Sequence, residues 1–361
     1  MDIAKPSIAI VHGDTNGIGY EMLFSVFCEQ ELLNLFKPII YGSPKVATYH
    51  RKAYDLNANF TIIKSAEEAK EDRLNLLTTF DEEVKVEIGT STPESRRAAL
   101  AALNRALSDL GNGAVDAVVC LPMADHTLLA ADGSSLTLSQ HAELHAGVPG
   151  DSLTLHVSDN LRMAIAYEGT LAQALAQFSK ETLLHKAALF HKSLERDFRL
   201  STPRIALLRL NAQPSTEETE VIKPVIEEGH KQQLGLFGPY SPEDFFSKSL
   251  YEQFDGVLAM HHDQGMIAFN LLSQCDGVTL CAGLPHIIVS TGIGNEIAFG
   301  PKTESDDQRL RNAIYLAIDT LRARVTYDEP MGNPLKKLYH EKRDESEKVR
   351  FNMPKKTDTP A

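Results

Sequence analysis

Short apolar runs that alternate with longer amphipathic stretches most constrain what this chain can fold into. SIAIVH, KPIIYG, FTIIKS, DAVVCL, SLTLHVS, RMAIAY, RIALLRL, DGVLAMH, DGVTLCA and HIIVST each have the length and the β-branched content of a buried strand. Between them lie stretches with helical period. TPESRRAALAALNRALSDLGNG opens on a Thr-Pro start signal and stops at glycine. TLAQALAQFSKETLLHKAALFHKSLERDF reads as one or two helices, TEETEVIKPVIEEGHKQQL as another, and ESDDQRLRNAIYLAIDTLRARV as the last. Strand and helix in alternation predict an α/β protein built from crossover units. From Met331 onward the apolar period is lost and charge takes over, so residues 331–361 read as a charged tail, poorly ordered towards its end.

With 361 residues, 43% of them hydrophobic, the chain can bury one large or two medium cores. A formal net charge of -13 with no basic cluster in the body argues against nucleic acid or an anionic membrane as partner and favours a small metabolite. No apolar run approaches the roughly 20 residues that span a bilayer. Cys28, Cys120, Cys275 and Cys281 show no disulfide spacing, and the opening MDIAKPSIAIVHGD lacks the apolar core of a secretory leader. A cytoplasmic protein with reduced, buried thiols is expected.

Two stretches carry candidate chemistry. In VHGDTNGIGYE, Gly13, Gly17 and Gly19 sit between a strand and a helix. Backbone N–H groups there could face an anion, or the glycines could serve only a tight corner; the spacing fits neither G-x-G-x-x-G nor a phosphate loop ending in Gly-Lys-Ser/Thr. In DGVLAMHHDQGMIAF, His261, His262, Asp263 and Gln264 follow a buried strand at the end where α/β sheets place their ligand crevice. Imidazoles and a carboxylate at that place suit a divalent metal or acid–base work.

Together these segments resemble the 4-hydroxythreonine-4-phosphate dehydrogenase family of pyridoxal phosphate biosynthesis, over roughly Ser7 to Asn333. GDTNGIGYE stands where the family has Gly-Asp-Pro-x-Gly-Ile-Gly-Pro-Glu, and DGVLAMHHDQG where it has a Met-Tyr-His-Asp-Gln-Gly core. FGPYSPEDFF, GVTLCAGLPHIIVS and AIYLAIDTLR follow in the family's order. The resemblance implies an isocitrate/isopropylmalate dehydrogenase-like α/β fold of two lobes with a cleft between them. Residues 1–121 with 280–330 would form one lobe and 122–279 a second, dimer-forming lobe. It implies a homodimer, NAD or NADP, a divalent metal held by three histidines, and a small phosphorylated substrate that is oxidised and decarboxylated.

At the family's site positions this chain departs. His262 is the one metal histidine retained; Gly169 and Gln213 stand at the other two positions, with Glu168 the nearest possible ligand. Ala124 and Asp125 replace an amide and a cation, while His141 and Glu143 are kept around Ala142. Asn270 replaces a lysine, Thr279 an asparagine and Ile288 an arginine, and the family's Asp-His-Gly-Thr turn becomes Gly292 to Asn295. Lysine and arginine grip phosphate by charge and forked hydrogen bonds, which Asn, Asp and Ile do not replace.

Asp263 and His141 remain as catalytic candidates, and His141, Asn270 and Thr279 as substrate positions. His141 and His145, four apart, would share a helix face and could rebuild a metal site with His261, His262, Asp263 or Glu168. Asp14 and Glu21 fit turn and helix-start roles, and His286 is either a pocket group or surface. Two readings stay open: an enzyme working through a rebuilt site, or a silent homologue that binds a ligand or pairs with another subunit.

Overall fold

The computed structural model describes residues 5–80, 84–211, 213–274, 276–292 and 294–332. Cys275 and the charged tail after residue 332 lie outside that range. The strands are β1 (Ser7–Val11), β2 (Lys37–Gly42), β3 (Phe60–Ile63), β4 (Leu74–Thr78), β5 (Ala117–Cys120), β6 (Leu153–Val157), β7 (Arg162–Tyr167), β8 (Ile205–Leu208), β9 (Leu236–Tyr240), β10 (Gly256–His261), β11 (Val278–Ala282) and β12 (Ile287–Ser290). The α-helices are α1 (Gly19–Val26), α2 (Pro44–Ala53), α3 (Pro93–Gly111), α4 (Leu138–Ala146), α5 (Leu171–Gln177), α6 (Lys180–Phe198), α7 (Lys223–Lys231), α8 (Pro242–Ser247), α9 (His262–Leu272), α10 (Asn295–Phe299) and α11 (Glu304–Gly332). All ten expected strands are present. β4 and β9 were not foreseen, and α11 runs past the expected end at Val325 into the stretch read as tail. No described helix is long and apolar enough to cross a membrane.

The strands make one sheet in the order β3-β4-β2-β1-β5-β12-β11-β6-β7-β10-β8-β9. From β3 to β12 every pairing is parallel, and so is every pairing from β7 to β9. Between these blocks β11 and β6 pair antiparallel with each other and with the strand beyond. The two parallel blocks therefore run in opposite senses, and β6 and β11 join them.

Side-chain alternation divides the core between the two faces of the sheet. On β1, Ile8 and Ile10 pack in one cluster with Leu23 and Phe24 of α1 and Ile314 of α11. Ala9 and Val11 pack in the other with Leu103 and Leu107 of α3. α3 begins at a reciprocal capping box, Ser95 N donating to Thr92 Oγ1 at 3.1 Å and Thr92 N to Ser95 Oγ at 3.0 Å.

The glycine turn after β1 is spent on this packing. Every residue from Val11 to Tyr20 is buried. A Cβ on Gly17 would lie 2.5 Å from the Ala298 carbonyl oxygen, one on Gly13 would collide with the Pro122 carbonyl, and one on Gly19 with that of His12. Gly13 also holds φ +77°, which only glycine adopts freely. Asp14 ties the turn to α3: its Oδ1 accepts from Asn16 N at 2.9 Å and its Oδ2 from Ser95 Oγ at 2.9 Å. The turn is a corner filled by the protein's own carbonyls, not an open cradle for a dinucleotide pyrophosphate.

Candidate functional site

β10 delivers the His-Asp-Gln-Gly segment to the edge of a cavity of about 520 Å³. Two of its four residues serve the frame. Gln264 accepts from Met260 N through Oε1 at 2.8 Å and donates through Nε2 to the Arg209 carbonyl at 2.6 Å, tying α9 to the end of β8. A Cβ on Gly265 would meet Ile165 Cδ1 at 2.6 Å and Met163 Sδ at 2.8 Å, so glycine lets α9 lie against β7. That close approach brings the start of α9 beside the residue after β7, which is Glu168.

His262 and Glu168 both line the cavity, with Asn270 of α9 and Thr279 of β11. Asp125 enters from the loop after β5, and Thr137 and Ser139 from the start of α4. α4 is fixed there by its own capping box, Gln140 N donating to Thr137 Oγ1 at 3.2 Å and Thr137 N to Gln140 Oε1 at 2.9 Å. Six positions singled out from the sequence, Asp125, Glu168, His262, Asn270, Thr279 and Gly292, thus converge on one space although they are spread over more than 150 residues of the chain.

The other candidates lie elsewhere. His141 pairs through Nε2 with Asn104 Oδ1 of α3 at 2.9 Å and does not line the cavity, and neither do His145 and His261. Glu143 accepts from Ser152 N at 3.0 Å and faces a neighbouring cavity that shares Glu168. Asp263 is 83% exposed; its Oδ1 lies 3.2 Å from Nδ1 of His262, which is 51% exposed. Gln213 is exposed, and Gly169 sits at φ +85°. Ile288 is buried in the apolar cluster on the α3 side of the sheet, and Ala124 is fully buried. His286 lines a separate recess beside Arg324. Ile293, next to Gly292, lies outside the described residues.

Several cavity residues escaped the sequence reading, among them Thr137, Ser139 and, most tellingly, His156. His156 of β6 lies at the wall with Nδ1 3.1 Å from Thr279 Oγ1 and its ring 5.5 Å from that of Phe269. Burial, and secondarily the nearby His262, push its pKa down to about 3, so it is neutral at physiological pH. A signal was available: Thr154 and His156 are alternate polar residues on an otherwise apolar strand and share a face. Glu168 shows the converse effect. Burial raises its pKa, opposed by the Thr154 hydroxyl and by the positive charge of His262 and Lys186. Its Oε1 is buried and has no hydrogen-bond partner among the described residues.

A resident divalent metal does not fit these residues. Among the described residues no three His, Cys, Asp or Glu side chains are grouped so as to hold one, and a closed or catalytic zinc site takes at least three protein ligands.

A family model described as pyridoxal phosphate biosynthetic protein PdxA matches residues 34–317. The chain belongs to the PdxA family. It is 38% identical over 359 residues to a 4-hydroxythreonine-4-phosphate dehydrogenase of Bacteroides thetaiotaomicron, covering 98% of this chain and 99% of that protein. A putative D-threonate 4-phosphate dehydrogenase of Cutibacterium acnes is 25% identical over 331 residues, covering 88% and 94%. Among solved structures, 4-hydroxythreonine-4-phosphate dehydrogenase of Klebsiella pneumoniae superposes with a TM-score of 0.71 at 22% identity, over 89% of this chain and 99% of that one. The fold is therefore the family's α/β fold, as expected. PdxA proteins are dehydrogenases of small phosphorylated substrates, and that family frame is what this cavity must be measured against.

Proposed function

We propose that this PdxA-family chain binds a small molecule in the family's cavity without carrying out the metal-dependent oxidation and decarboxylation of 4-phosphooxy-threonine. The observation that carries this is the cavity's donor set. His262 shares the wall with Glu168, Asp125, a His126 paired with Ser135 and a neutral His156 engaged with Thr279, yet among the described residues no three metal-binding side chains are grouped so as to hold a cation. Without a cation to polarise the substrate hydroxyl and then stabilise the enolate, the family chemistry lacks its main electrostatic support. The substrate side agrees. Among the described residues lining the cavity there is no lysine and one arginine, Arg309, whose Nη1 lies 3.1 Å from Asp306 Oδ1.

Pairing of two copies, implied by the family, is supported by Ile267 and Leu271, 67% and 76% exposed on α9. The test of function is metal analysis of the purified protein combined with an NAD and NADP reduction assay on 4-phosphooxy-threonine. The expected result is no stoichiometric metal and no turnover. Near one metal per chain with turnover would establish a rebuilt enzyme and overturn the reading.

A further inference from the structure

We propose that the cavity selects a small, unphosphorylated molecule bearing a protonated amine, which the Glu168 carboxylate receives. The inference rests on the reading above and names what the cavity binds in place of a phosphate ester.

Glu168 Oε1 is a buried acceptor with no donor among the described residues. Native proteins seldom leave such an atom unsatisfied, and Glu168 borders the cavity, so a ligand can supply the missing donor. Charge then decides which donor. Asp125 adds a second carboxylate to the lining, and the guanidinium of Arg309 is held by Asp306. The positive end of the α9 dipole, a natural seat for phosphate, already carries Asp263 in its first turn. His262 faces Glu168 but also lies against Asp263 at 3.2 Å. His156 is neutral and brings no cation. A phosphate dianion would meet the Glu168 carboxylate, and the lysine whose charge reaches that carboxylate, Lys186, already donates to the Gly150 and Ser152 carbonyls; an ammonium instead supplies the donor that Glu168 Oε1 lacks. Thr137, Ser139 and Asn270 around it offer hydrogen bonds to hydroxyl or amide groups of the same ligand.

The test is calorimetric titration at pH 7 of the full-length protein with matched pairs: threonine and phosphothreonine, ethanolamine and phosphoethanolamine, 4-hydroxythreonine and 4-phosphooxy-threonine. The same titrations are repeated on Glu168→Gln, with its thermal unfolding recorded to show that it folds. At least one free amine should bind about tenfold or more tighter than its phosphate ester, and Glu168→Gln should weaken that amine by about tenfold. Tighter binding of the esters, failure of every amine to bind the wild type, or unchanged amine binding in folded Glu168→Gln would each overturn the inference. Absence of turnover with no amine bound would sink this inference alone. Turnover of 4-phosphooxy-threonine would instead sink the functional reading beneath it.

Discussion

The turn after β1 and the cavity beside β10 both descend from family motifs, yet their atoms are employed differently. In the turn, Gly13, Gly17 and Gly19 are each pressed against a backbone carbonyl, and Asp14 is hydrogen-bonded on both oxygens. Nothing there can change without moving main chain. In the cavity, His262 is half-exposed, Asn270 is exposed and one oxygen of Glu168 has no partner. Within the His-Asp-Gln-Gly segment itself the same division recurs: Gln264 and Gly265 hold α9 in place, while His262 and Asp263 do not. Packing fixes the parts of a motif that the fold uses, and it places no such constraint on the parts that served only chemistry.

The largest expected effect would break this contrast if it failed. Gly19→Ala drives a methyl group into the His12 carbonyl and should destabilise the protein by about 3 kcal/mol or prevent soluble folding. Urea denaturation of the variant measures it, and unchanged stability would mean the turn has slack.

Next in size is acid sensitivity from the same corner. His12 is buried, with its ring stacked 5.0 Å from that of Tyr20, which in turn stacks 5.2 Å from His50. Burial, then the proximity of His50, push its pKa down to about 3. The unfolded chain takes up a proton near pH 6.5 that the folded one refuses. The contribution of His12 is thus complete above pH 6.5 and declines as pH falls towards 3, by about 2 kcal/mol at pH 5. Denaturation midpoints at pH 7.5 and pH 5 should differ less in His12→Phe than in the wild type. An equal difference in both proteins would show that other groups govern acid unfolding.

Much of this architecture was legible because short apolar strands and capped helices are local signals. Thr92, Pro93 and the glycine at 111 mark α3 in the sequence and in space alike. β9 was hidden because LFGPY carries a Gly-Pro pair that reads as a breaker; at the edge of the sheet a strand tolerates it. β4 was hidden by Asn75 near its start, whose amide donates to the carbonyls of Lys70 and Arg73 nearby and of Pro38 on the neighbouring strand β2, the last a partner that no local pattern supplies. In the cavity, Glu168 and His262 could be named from motif positions. Their union with His156 depends on β6 and β7 pairing antiparallel next to β11, which no local pattern states. His141 is the reverse case: a histidine at a family position whose partner, Asn104 on α3, spends it on joining two helices.

A smaller effect sharpens the contrast from the architectural side. Ser95→Ala removes the hydroxyl that donates to the buried Asp14 carboxylate and half of the α3 capping box, at an expected cost of about 1.5 kcal/mol. Ser95→Thr keeps a hydroxyl and should recover part of it. Equal losses in both variants would point to crowding at a fully buried position rather than to the lost bond.

The smallest expected effects lie in the cavity, and they bear hardest on the division between frame and chemistry. His262→Ala removes a half-exposed ring that lies 3.2 Å from the exposed Asp263, so thermal and urea stability should stay within about 0.5 kcal/mol of the wild type. Bound zinc and magnesium, measured by mass spectrometry before and after the change, should be equal. A drop in metal content would restore His262 as a ligand and require partners that the described residues do not bring together. A large loss of stability would place His262 with Gln264 and Gly265 in the frame. Either result would show that this segment was conserved in one piece, and the contrast with the turn after β1 would have to be drawn elsewhere.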